Sequence, residues 1–147
     1  LTTACSVKAI REPIVNFIKQ VYESFTHYSF DGDTTEKITK EYTIKSPDDF
    51  EQTNINKNNS LIAREYINKS GDIIEFKQMT TEYSTGYFVD NENGDIKTET
   101  LNGIEIQFKE RYDTKSAIWT QNGYVFVIDC YGDISYDTIK QMIESLK

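Results

Sequence analysis

The sequence predicts an α+β fold: an N-terminal helix, a curved antiparallel meander sheet of about six to seven strands, and a C-terminal helix packed on one sheet face. Three observations predict it. Asn-Gly occurs twice, at Asn102-Gly103 and Asn122-Gly123, each time between segments of β-forming residues, which is the signature of a type I′ hairpin turn. Apolar residues recur at helical spacing only near the two ends of the chain. Ten Tyr and eight Phe in 147 residues supply the large flat side chains that a half-buried sheet packs.

In chain order, Val7, Ile10, Ile14, Phe17, Val21 and Phe25 form one stripe at spacings of three and four, widened by Ile18 and Tyr22. Pro13 removes a backbone donor, so it either begins the main helix or kinks a longer one. FDGDTTEK is a turn cluster. KITKEYTIK alternates, with Ile38, Tyr42 and Ile44 on one face, and reads as a strand. SPDDFEQTNINKNN reads as a polar connection. LIAREYIN and IIEFKQMT, joined by NKSGD, form a hairpin, and YSTGYFVDNENGD is a longer loop. IKTETL and IEIQFKE flank the first Asn-Gly turn, KSAIWT and YVFVIDCY the second. YVFVIDCY is apolar on both faces, as in a central or helix-covered strand. In SYDTIKQMIESLK, Ser135 is the N-cap, Asp137 lies in the first turn where the helix dipole favours a carboxylate, and Ile139, Met142, Ile143 and Leu146 form the stripe. The whole of 1–147 reads as one domain, with 1–12 a membrane-proximal segment.

Function classes narrow by exclusion. The net charge is −8 with no basic patch, which excludes nucleic acid as a partner. No run of apolar residues in the chain is long enough to span a bilayer. Cys5 and Cys130 read as two free thiols, the second buried in a strand. The single histidine, His27, has no Cys or Ser motif beside it and reads as a surface residue. The acidic loops Asp31-Gly32-Asp33 and Asp90-Asn91-Glu92-Asn93-Gly94-Asp95 offer oxygen ligands, but the second places its Gly one position early for a calcium loop. Turn chemistry explains both without a metal. The sequence therefore assigns no catalytic, metal or cofactor-binding residue and calls for no cofactor. Tyr42, Tyr66, Phe76, Phe108, Trp119, Tyr124 and Phe126 are assigned to the core by alternation, with Trp119 as the anchor under the C-terminal helix.

IWTQNGYVFVIDCYGDISYDTIKQMIESL combines a Trp, a turn into an aromatic-rich strand, and a short capped helix. ACSVKAIREPIVNFIKQVYESF has the pattern of a helix that follows a membrane span, and Pro47 and Phe50 stand in YTIKSPDDFEQTN, although no Gly precedes the Phe. In these stretches the chain resembles the bacterial extracytoplasmic domain-of-unknown-function family 4367, often found at the C-terminus of membrane-anchored, anti-sigma-like proteins of Gram-positive bacteria. The resemblance implies an extracytoplasmic domain tethered to the cell membrane. Its motifs are turns and packing residues, so it implies a fold and a location and no reactive site. A transmembrane helix ahead of Leu1 ranks above a lipid on Cys5, because Thr2 stands where a lipobox carries Leu, and both rank above a frayed terminus. The resulting expectation is a non-enzymatic sensory or interaction domain that binds an unknown protein or small-molecule ligand and signals through the Pro13 region. The alternative is a carrier of lipid or a small apolar ligand on the concave sheet face. The sequence leaves the oligomeric state open.

Overall fold

A computed structural model describes residues 36–87 and 95–147. The strands are β1 (Glu51–Lys57), β2 (Leu61–Ile67), β3 (Ile73–Met79), β4 (Asp95–Leu101), β5 (Ile104–Arg111), β6 (Thr114–Gln121) and β7 (Tyr124–Tyr131). Two helices accompany them, α1 (Thr81–Tyr87) and α2 (Tyr136–Glu144). All pairings are antiparallel, in the order β1-β2-β3-β7-β6-β5-β4. Two meanders, β1–β3 and β4–β7, therefore meet at the β3–β7 pair, and the connection after α1 carries the chain to the far edge. The α+β architecture expected from the sequence is the one observed, and β7 is central.

Both Asn-Gly turns have the expected backbone, with φ of 52° and 79° at Asn102-Gly103 and 54° and 85° at Asn122-Gly123. The main core cluster lies on one sheet face, and Met79, Ile118, Val125 and Val127 are buried on the other. Trp119 stacks on Phe126 at 5.4 Å between ring centroids, and Phe126 on Phe76 at 6.0 Å. Every aromatic assigned to the core by alternation belongs to this cluster, together with Ile139, Met142 and Ile143 of α2. The Ser135 hydroxyl accepts the Thr138 N–H at 3.1 Å and so caps α2 as expected. Cys130 is a buried free thiol.

Three expectations are corrected. KITKEYTIK joins no sheet; it is an extended strap across the core face, with Tyr42 and Ile44 buried. Alternation reports an extended backbone with one buried side and not what that backbone bonds to. The polar connection contains β1, whose residues are all exposed, so no apolar alternation marked it. The long loop begins as α1, a helix held by small polar groups: Thr81 and Ser84 are buried, and the Thr80 hydroxyl accepts the Tyr83 N–H at 3.1 Å. The N-terminal helix, Pro13, Cys5, His27 and the Asp31–Asp33 loop lie outside the described residues, as does 90–94 of the second acidic loop.

Candidate functional site

The strap is held to the sheet by side-chain-to-backbone hydrogen bonds. Gln78, fully buried on β3, accepts the Tyr42 N–H on Oε1 at 2.9 Å and donates from Nε2 to the Lys40 carbonyl at 2.8 Å. Arg64, buried on β2, donates to the Tyr42 carbonyl at 3.3 Å and to Glu41 at 2.9 Å. Glu41 also meets Lys57 at 2.6 Å. The Lys57 hydrogen bond, joined by the charge of Arg64, holds the Glu41 carboxyl below its ordinary range. Two sheet side chains thus satisfy backbone groups that a neighbouring strand would otherwise satisfy. Farther along, Thr43 and Lys147 exchange backbone hydrogen bonds at 2.9 and 3.1 Å, and the Lys45 N–H donates to Ser145 Oγ at 2.8 Å.

Those last bonds fix the walls of an open groove of about 340 Å³. Lys45, Ser46, Pro47 and Asp48 of the strap form one wall; Thr138, Gln141, Met142 and Ser145 form the other. Pro47 and Met142 provide apolar surface, and hydroxyl, amide, ammonium and carboxylate groups surround it. Such a lining suits a polar ligand or a peptide side chain better than an acyl chain.

The opposite sheet face carries a second polar group. In register across four strands lie Glu75 on β3, Asp129 on β7, Ser116 on β6 and Lys109 on β5. Asp129 accepts from Ser116 Oγ at 2.5 Å and from Lys77 Nζ at 2.9 Å. Lys77 also lies 3.7 Å from Glu75. Burial, reinforced by Asp129 and Glu75, pushes the Tyr131 hydroxyl up to about 12. Burial and the charge of Arg111 lower Lys109, against the pull of Asp129. The lone charge within YVFVIDCY was the sequence signal for this network; the registers that assemble it are set by tertiary pairing.

The Cys130 thiol is pushed up to about 12, chiefly by burial, and so stays protonated and weakly nucleophilic at neutral pH. Ser116 donates to a carboxylate, and no imidazole among the described residues faces it. Among the described residues no three His, Cys, Asp or Glu side chains cluster as metal ligands, and no helix is long and apolar enough to cross a membrane.

A family model described as a domain of unknown function, DUF4367, matches residues 42–146. Neither the curated proteins nor the solved structures contain a match to the chain.

Proposed function

The chain belongs to the DUF4367 family, and from that premise we propose that it is a non-enzymatic, extracytoplasmic interaction domain of a membrane-anchored, anti-sigma-like bacterial protein. The observation that carries the reading is the groove between the strap and α2. It is open, polar at its margins, and built on a segment continuous with the chain leading back to Pro13. A ligand that draws the two walls together would act on the Thr43–Lys147 and Lys45–Ser145 bonds, and so on the strap itself. The membrane tether is supported by the likeness of residues 4–25 to a helix that follows a span.

The carrier alternative requires room for an apolar guest on the concave face. The space between α2 and the sheet is filled by Trp119, Phe126 and Phe76 of the sheet and Ile139 of α2, each at most 1% exposed. This favours the interaction reading.

Fractionation of the full-length protein, with protease added to intact cells, tests the proposal. Membrane retention with loss of this domain from outside is the expected result. A freely released protein, or one shielded from the protease by an intact membrane, would overturn it.

A further inference from the structure

The two edges of the sheet are built differently. At β1 the ladder is interrupted by a bulge between Gln52 and Asn54, and the Asn54 side chain takes the Ile55 N–H at 2.9 Å. Both features protect an edge from pairing. At β4 the register runs without a break from Asp95 opposite Glu110 to Leu101 opposite Ile104, and Lys97, Thr98 and Thr100 are exposed.

The hairpin fixes which β4 groups face outward. A two-residue turn makes Leu101 and Ile104 a hydrogen-bonded pair, so the odd-numbered residues of β4 bond to β5. The N–H and C=O groups of Ile96, Thr98 and Thr100 therefore point away from the sheet.

The order of charges along the strand then selects a partner. When DIKTETL is laid antiparallel against itself about Thr98, Ile96 and Thr100 of the two copies exchange hydrogen bonds, as do the two Thr98 residues. Lys97 falls opposite Glu99 of the second copy, twice, on one face, at the closer non-hydrogen-bonded positions. A slip of two residues in one direction sets Lys97 against Lys97; in the other it sets Glu99 against Glu99. Lys97 makes no ion pair among the described residues. Glu99 meets Lys140 through Oε1 at 2.8 Å, and a carboxylate has a second oxygen to offer. We infer that the β4 edge is a self-association surface, where a second copy of this chain adds antiparallel about Thr98 and joins two seven-stranded sheets across a twofold axis. This inference is independent of the membrane topology and of the groove.

Sedimentation velocity of the 147-residue chain, over a concentration series reaching about 1 mM, tests it. The wild type is expected to shift reversibly from monomer to dimer. Lys97→Glu should raise the dissociation constant by about tenfold or more, since it opposes two carboxylates twice. Lys97→Glu/Glu99→Lys should restore it, with circular dichroism verifying the fold of each variant. In a Cys5→Ser background, oxidation of Thr98→Cys should give a covalent dimer, whereas Thr53→Cys on the opposite edge should not. A wild type that stays monomeric throughout overturns the inference. So does a dimer indifferent to Lys97→Glu, or a folded double variant that fails to regain it.

Discussion

The Asp72 carboxylate fills the space that a Cβ on Gly132 would need. That carboxylate links two turns. Its Oδ1 accepts the Asp133 N–H at 3.3 Å, its Oδ2 accepts from Asn68 Nδ2 at 3.0 Å, and the Asn68 side-chain oxygen accepts the Asp72 N–H at 2.9 Å. The β2–β3 turn is thereby fastened to the bend that leads from β7 into α2.

Gly132 also has φ of 111°, which side-chain-bearing residues rarely adopt. Gly132→Ala should therefore cost roughly 2–3 kcal/mol from strain and displaced carboxylate together. A thermal melt should record a fall of roughly 5–10 °C. An unchanged melt would mean that the turn has slack the structure does not show.

The strap gives a second prediction, of local rather than global loss. Gln78→Leu fills similar volume but abandons the Tyr42 N–H and the Lys40 carbonyl. Each buried group left unsatisfied costs about 1–3 kcal/mol, and a strap free to lift off can recover part of that from water. The expected net loss is about 2 kcal/mol. In hydrogen exchange, the Tyr42 amide should lose protection while Phe126 and Ile128 at the sheet centre keep theirs. Uniform loss across the sheet would show that the strap is integral to the cooperative unit.

The way these residues work explains what the sequence disclosed. Asn102-Gly103 and Asn122-Gly123 were legible because a two-residue turn is a local event. Trp119, Phe126 and the α2 stripe were legible because periodicity and burial coincide there. β1 was not, since every residue in it is exposed and the strand exists only because β2 presents a ladder. Gln78 was not, since its role depends on a strap arriving from 36 residues earlier in the chain. The Glu75–Asp129–Ser116–Lys109 row needs four strands in register and could be hinted at only by Asp129 in an apolar strand.

That row carries a third prediction. Lys77 and Asp129 have side chains 13% and 12% exposed and lie 2.9 Å apart. Lys77→Met preserves most of the aliphatic stem and removes the cation, while the hydrogen bond from Ser116 to Asp129 stays. Removing the cation from beside a nearly buried carboxylate should cost about 2–3 kcal/mol, read by urea denaturation at neutral pH. Lys77→Arg, which keeps a cation beside Asp129, should lose much less. An equal loss in Lys77→Arg would assign the effect to packing instead.

Alkaline pH provides the last prediction, and its sign follows from the folded state's grip on protons. The Cys130 thiol moves from 9.0 to about 12, through burial first and then the charge of Asp129, partly offset by Lys115. Tyr131 and Tyr136 rise from 10.0 to about 12, again with burial as the leading cause and Glu110 adding to it at Tyr136. For each group the unfolded chain releases its proton first as pH rises. Their contribution to stability is complete below about pH 9 and is lost progressively up to about pH 12. Lys109 acts in the opposite sense, since burial favours its neutral form; Tyr124 does too, because burial, which raises it, is outweighed by the hydrogen bonds from Thr39 and Lys40 together. Three large upward shifts against two smaller downward ones leave a net fall. The denaturation midpoint should therefore decline steadily between pH 9 and 12. Cys130→Val, which removes the thiol from a site 1% exposed, should decline less steeply over the lower half of that window. A thiol reagent at pH 8 should leave Cys130 of the wild type unmodified until denaturant is added. Prompt modification without denaturant would contradict the burial on which the argument rests.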